Sequence, residues 1–267
     1  MHDFSRFLNE MAAAADSAYR YAMNHMTATE RSEDIGLGGD GTPTMFLDRY
    51  IEEPVLDVIA RHGSNVLSEE VGWIDRGSAV TVVIDPVDGT ANSAAGVPIS
   101  AFAAAIVVDD VVTESLCTWL GTTYAWHAHR DQEIARTTTG KNSLAGSALS
   151  MLRPRPATWS SWSALALEAE RVRVLGSSVI EGCLVADGAI DAFCDPGGDI
   201  HRIVDIAAAQ LIVERAGGAV VDAHGRPFSF EPNLSLRWSG VFAATRHLAE
   251  EIAAVIRWSS ADRKPTE

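Results

Sequence analysis

Apolar residues at Phe4, Phe7, Leu8, Met11, Ala15 and Met23 recur at helical spacing with polar residues between them, which predicts an amphipathic first helix over 4–26. A glycine-rich connector, GLGGDGTPT at 36–44, breaks that pattern. A second helix is expected from about 45 to 61, closed by Gly63. Strand-like runs follow at 80–84, 100–108, 111–119 and 122–127, and the turn formers Asp109 and Asp110 between two of them predict a hairpin. From 130 to 171 the periodicity fades into Thr, Ser and Gly with two X-Pro steps, Arg153-Pro154 and Arg155-Pro156, and a change of layer is expected there.

Beyond it the signals alternate: strand 171–175, helix 177–187, strand 189–194, helix 203–216 ending at Gly217-Gly218, strands 219–221 and 240–244, and a last helix 245–258. Alternating α and β behind an antiparallel-looking first half predicts an α+β protein built as a layered αβαβα sandwich. One unit over 1–267 is expected, with approximate halves at 1–130 and 170–267 joined by 131–169.

Composition narrows the classes. The chain has 267 residues, 47% of them hydrophobic and 7% aromatic, which suits a folded soluble protein with ample core. Its formal net charge of −15 argues against nucleic acid or an anionic membrane as partner, since both need a basic surface. Among the 21 basic residues only Lys141 and Lys264 are lysines. An acidic, lysine-poor surface would suit a salt-rich cytoplasm, and a GC-rich genome would produce the same Lys-to-Arg bias. Cys117, Cys183 and Cys194 lie in apolar stretches without ligand-like spacing, so buried free thiols in a reducing cytoplasm are expected. Neither a signal peptide nor a membrane span is expected.

The chemistry gathers in SEEVGWIDRGSAVTVVIDPVDGTAN, at 68–92, where an apolar strand ends in Asp85, Pro86, Val87 and Asp88, then Gly89 and Thr90, with Glu69 and Glu70 upstream. Clustered carboxylates repel and raise one another's pKa unless cations neutralise them. An oxygen-only donor set selects a hard cation, Mg2+ or Mn2+ over Zn2+. Pro86 fixes the turn so that Asp85 and Asp88 can face one point, and the Val87 carbonyl between them offers another oxygen. Two such ions about 3.5–4 Å apart would clamp a phosphoryl group. Gly89 at the start of a helical turn would present backbone N–H groups to an anion. Glu70 is expected to be a solvated neighbour of Glu69, and Asp205, taken alone, a helix N-cap.

These residues carry a resemblance. SEE followed by DPVDGT is similar to the leading motifs of the inositol monophosphatase superfamily, VDIAAAQLIVERAGG at 204–218 resembles its third motif, and GGDGTPTMFLD at 38–48 resembles the archaeal fructose-1,6-bisphosphatase/inositol monophosphatase branch. The resemblance implies a fold of the sugar phosphatase type and an Mg2+-dependent phosphate monoester hydrolase with two or three ions. It implies that Glu69, Asp85, the Val87 carbonyl, Asp88 and Asp205 bind metal. Asp48 and Thr90 would position or activate the attacking water, and Asp88, Gly89 and Thr90 would meet the phosphate.

Arg173, Gly176, Ser177 and Ser178 match the stretch that contacts the sugar or inositol, while Arg202 and His201 are candidates for a second phosphate. The departures from the family pattern are Ser93 and two alanines after Asn92, Val204 before the third-motif Asp, and a longer segment at 195–205. Fructose 1,6-bisphosphate is the expected main substrate and inositol 1-phosphate a second one, with a cytoplasmic homodimer as the expected form. The alternatives are a 3′-phosphoadenosine 5′-phosphate phosphatase and a non-catalytic dimeric binding protein of the same fold.

Overall fold

A computed structural model describes residues 4–261. The N-terminal helix α1 (Ser5–His25) turns Leu8, Met11, Ala15, Tyr19 and Ala22 toward α3 (Phe46–His62) and a six-stranded sheet. Between the two helices lie a single turn, α2 (Ala28–Arg31), and a small antiparallel hairpin, β1 (Asp34–Leu37) with β2 (Pro43–Met45). The stretch expected as a connector thus contains a hairpin, which Gly39 ties down. Its N–H donates to the Glu70 carbonyl at 2.7 Å, and a Cβ there would lie 2.3 Å from the Gly72 nitrogen.

The larger sheet runs in the order β4 (Gly72–Ile74), β3 (Asn65–Ser68), β5 (Val80–Asp88), β6 (Ala101–Val108), β7 (Val111–Trp119), β8 (Ala125–His129). It is antiparallel except where β3 runs beside β5. Strands β3 and β4 are absent from the expected elements because Asn65–Ser68 is short and buried throughout, with no alternation to mark it. A short α4 (Thr90–Ala95) links β5 to β6.

The second sheet, β10 (Arg171–Arg173), β9 (Ala148–Met151), β11 (Ala192–Cys194), β13 (Gly240–Ala243) and β12 (Ala219–Asp222), is parallel across its first three strands and antiparallel across the rest. The weakly patterned stretch also holds α5 (Trp159–Glu168), an outer helix whose apolar residues spread around its circumference and hide its period. It packs with α8 (Arg246–Ala261) on the outside of the second sheet.

Between the sheets lie α6 (Ser178–Ala186) and α7 (Ile203–Arg215). Both are apolar nearly all round, as a helix covered on two sides must be. Val179, Ile180 and Cys183 of α6 and Ile206, Ala209 and Ile212 of α7 share one core with Val83 and Ala103 of the first sheet and Phe193 and Phe242 of the second. The result is the expected five layers: α1 and α3, first sheet, α6 and α7, second sheet, α5 and α8. Cys117, Cys183 and Cys194 are buried free thiols. No helix among the described residues is long and apolar enough to cross a membrane.

Candidate active site

Strand β5 ends in a bulge that decides where its carboxylates point. Asp85 pairs with Ala103 and Asp88 with Ala101, so three steps on one strand match two on the other. In a regular strand residues three apart face opposite sides; the extra residue restores parity, and both carboxylates turn to the side of the middle helices. Pro86, which has no N–H to lose, sits inside the bulge, and the Val87 N–H folds back on Asp85 Oδ1 at 3.0 Å.

Glu69 follows β3, and Asp205 stands in the first turn of α7. One carboxylate oxygen from each of Glu69, Asp85 and Asp205 falls within 4.8 Å of the others. Asp205 is not the N-cap. That position is Arg202, whose backbone N–H donates to Asp205 Oδ2 at 2.6 Å. The Arg202 guanidinium reaches into the cluster: Nη1 lies 2.5 Å from Glu69 and 2.6 Å from Asp40, and Nε 3.3 Å from Asp205. Far from being an exposed loop cation, Arg202 is a nearly buried counter-ion with a pKa held above its ordinary value, because three surrounding carboxylates outweigh its burial. His201, the other candidate for a second phosphate, is buried in the core beside Phe193 and Phe242.

Asp48, in the first turn of α3, meets Thr90 across the site. Thr90 Oγ1 is 2.7 Å from Asp48 Oδ1 and 2.9 Å from the Val87 carbonyl. A hydroxyl has one proton to donate. With Asp48 ionised it can go to the carboxylate, and with Asp48 protonated the chain runs from Asp48 through Thr90 to Val87. Glu70 corrects the expectation of a solvated neighbour. It is buried and accepts the Thr44 hydroxyl from β2, which pins the hairpin to the site.

Asp88 is held from the middle layer. It accepts the Ser177 hydroxyl and the N–H groups of Ser178 (3.2 Å) and Val179 (2.8 Å), so the N-terminus of α6 is satisfied by this carboxylate. Gly176 lies alongside. A Cβ on Gly89, whose φ is 85°, would sit 3.1 Å from its carbonyl and 2.8 Å from that of Ile99. Asn92 donates to the carbonyls of Leu175 (2.8 Å) and Ile99 (2.9 Å), so the Asn kept after the Gly-Thr step locks the same loop. Because α4 has only six residues, Thr90 owes its place to local hydrogen bonds rather than to a helix dipole. Arg173 closes β10, and its Nη1 is buried without a hydrogen-bond partner among the described residues.

The electrostatics follow from this crowding. Two carboxylates about 4 Å apart repel by ~4 kcal/mol at an effective dielectric of ~20. Burial, reinforced by the neighbouring carboxylates, raises Glu69 to about 8 and Asp88 to about 7 and pushes Asp85 well above the carboxylate range. Burial together with Glu70 raises Asp48 to about 7. One arginine does not neutralise such a set. The donors are all carboxylate or carbonyl oxygens, a set that fits a hard divalent cation. Sequence alone did not single out Asp40 or the buried Glu52, which accepts from Ser68 (2.5 Å) and Val71 (3.0 Å). The partners that tie them to the site, Arg202 for Asp40 and Ser68 and Val71 for Glu52, are remote in sequence.

The chain matches the model of the inositol monophosphatase family over residues 3–261. It is 31% identical to a fructose-1,6-bisphosphatase/inositol-1-monophosphatase of Thermococcus kodakarensis, covering 84% of this chain and 87% of that one. It is 28% identical to a histidinol-phosphatase of Mycobacterium tuberculosis, covering 70% and 76%. Its fold is that of a crystallised inositol monophosphatase-fructose 1,6-bisphosphatase, with a TM-score of 0.83 at 23% identity over 95% of this chain and 100% of that one.

Proposed function

Because the chain belongs to the inositol monophosphatase family and is a phosphatase, we propose that it hydrolyses fructose 1,6-bisphosphate, with inositol 1-phosphate as a second substrate. The observation that carries this proposal is the convergence of Glu69, Asp85 and Asp205 beside Asp88 and facing the Asp48–Thr90 pair. Glu69, Asp85, the Val87 carbonyl, Asp88 and Asp205 would hold two or three Mg2+ ions, with Mn2+ as a substitute. Bound there, the ions would polarise the phosphoryl oxygens, acidify a water and neutralise the departing alkoxide.

This chain's own residues do the rest. Thr90 orients the attacking water, and ionised Asp48 receives its proton through the Thr90 hydroxyl. The water oxygen bonds to phosphorus, the P–O bond to the sugar breaks, the alkoxide takes a proton from solvent water and leaves as an alcohol, and Asp48 returns its proton to solvent. Gly89 and Thr90 lie against the phosphate. Glu69 would be free to hold a metal once Arg202 released it, with Asp40 the carboxylate left to Arg202. Arg173, whose Nη1 has no hydrogen-bond partner among the described residues, is the cation available to the distal phosphate of a bisphosphate, whereas Arg202 would have to give up its carboxylates to reach it; the 176–178 stretch would border the sugar.

The test is inorganic phosphate release with Mg2+ from fructose 1,6-bisphosphate, inositol 1-phosphate and 3′-phosphoadenosine 5′-phosphate, with Asp88→Asn as the blank. Release from the first that disappears in the variant and with EDTA is the expected result. Release from the nucleotide alone would move the chain to another substrate class, and none from any substrate would favour a binding protein. Light scattering on the same preparation tests the homodimer.

A further inference from the structure

The middle helical layer contains one fully buried acid that the phosphatase chemistry leaves unused. Glu181, in the first turn of α6, is fully buried. A carboxylate this deep is costly to bury unless its oxygens meet donors, and its donors are specific. Oε1 accepts the Ser150 hydroxyl at 2.5 Å and the Leu175 N–H at 3.2 Å, and Oε2 accepts the Ser177 N–H at 3.2 Å. Two amides of one loop, those of Leu175 and Ser177, therefore converge on one side chain.

The loop carrying those amides is gripped from two other directions. Asn92 donates to the Leu175 and Gly176 carbonyls, and the Ser177 hydroxyl donates to Asp88. Residues 175–177 thus span two carboxylates, Asp88 on the side of the first sheet and Glu181 beneath. Helix capping alone does not account for this, because the capping bond is made by the Ser177 side chain to the Ile180 N–H.

We propose that Glu181 is a positioning residue for the reaction: it fixes the backbone of 175–177 and, through the Ser177 hydroxyl, the orientation of Asp88. The role rests on the reading of Asp88 as part of the metal centre. Glutamine has the shape but not the acceptors. Whichever way its amide is turned, an NH2 group faces either the Leu175 N–H or the Ser177 N–H. Aspartate keeps the charge but withdraws both oxygens from the loop.

The experiment compares Glu181→Gln, Glu181→Asp, Ser177→Ala and the double variant Glu181→Gln/Ser177→Ala. Mn2+ affinity is read by calorimetry, kcat and KM by phosphate release, and Tm by circular dichroism. In each variant of Glu181 that keeps a cooperative melt, Mn2+ binding and kcat are expected to fall by about 10–100-fold, the range for groups that orient a metal ligand, with kcat changing more than KM. The double variant should be no worse than the poorer single one, because both act through one bond. Lowered Tm with unchanged Mn2+ affinity and kcat would overturn the proposal in favour of a purely structural acid, as would losses that multiply in the double variant. If the parent chain hydrolyses none of the substrates, the assigned reaction fails, and the Mn2+ titration still decides the role of Glu181.

Discussion

Asp48 governs how the site answers to pH. Its pKa of about 7 arises from burial, with Glu70 adding to it, and only the ionised form accepts a proton through Thr90. Below that value Asp48 is protonated and is itself the donor, so kcat should rise with pH through about 7 and level off above it. Asp48→Asn removes the acceptor at every pH. It should lower kcat by ~10²–10⁴-fold, the usual worth of a positioned base, with KM little changed, and flatten the pH profile measured by phosphate release. The carboxylates that the sequence made legible are those crowded into one stretch, Glu69, Asp85 and Asp88, along with Asp205 in its own motif. Glu181, Asp40 and Glu52 were hidden because partners that tie them into the fold come from distant segments: the Ser150 hydroxyl, the guanidinium of Arg202, and the turn after β3.

Among the elements, the end of β5 and the glycine after it do most to build the site. Gly89 holds a left-handed φ of 85°, and any Cβ would press on the Ile99 and Gly176 carbonyls. Gly89→Ala should therefore destabilise the chain by about 1–3 kcal/mol, the scale of strain stored at such positions, measured by urea unfolding. It should also lose phosphate release, because Asp88 and Thr90 flank it. Helix α1 was legible from side-chain spacing, α3 from its glycine stop, and β6 and β7 from their length and the turn formers Asp109 and Asp110 between them. Strand β3 has no alternation, α5 has apolar residues on all sides, and the hairpin of β1 and β2 depends on Glu70 and Gly72 below it. Those elements are set by what they pack against, which no local pattern records.

For the whole molecule the dominant fact is unbalanced negative charge gathered at a buried point. Glu69, Asp85 and Asp88 have folded pKa values above their unfolded ones, so the folded state holds extra protons. Their contribution to stability is complete at low pH and is lost as pH climbs toward about 8. With EDTA present, Tm should fall between pH 7 and 8.5. His201, neutral through burial, affects the range below that window. Added Mg2+ should raise Tm more at the upper end, where its ligands are already ionised; a melt independent of pH in EDTA would contradict this. The surface charge makes a separate prediction. If the −15 balance is an adaptation to salt, Tm should rise from low to molar KCl, and a flat response would leave genome composition as its source.

The seam between the two sheets has a consequence for how the molecule could be controlled. Asp85, Asp88 and Thr90 come from one side of it, Ser177 and Asp205 from the helices that fill it, and the two sides meet through the bonds of Asp88 to Ser177, Ser178 and Val179 and of Asn92 to Leu175 and Gly176. Activity is thus a report on the closeness of two slabs as much as on the chemistry between them. Changes in how the middle layer packs are therefore expected to reach the centre with every acid left in place.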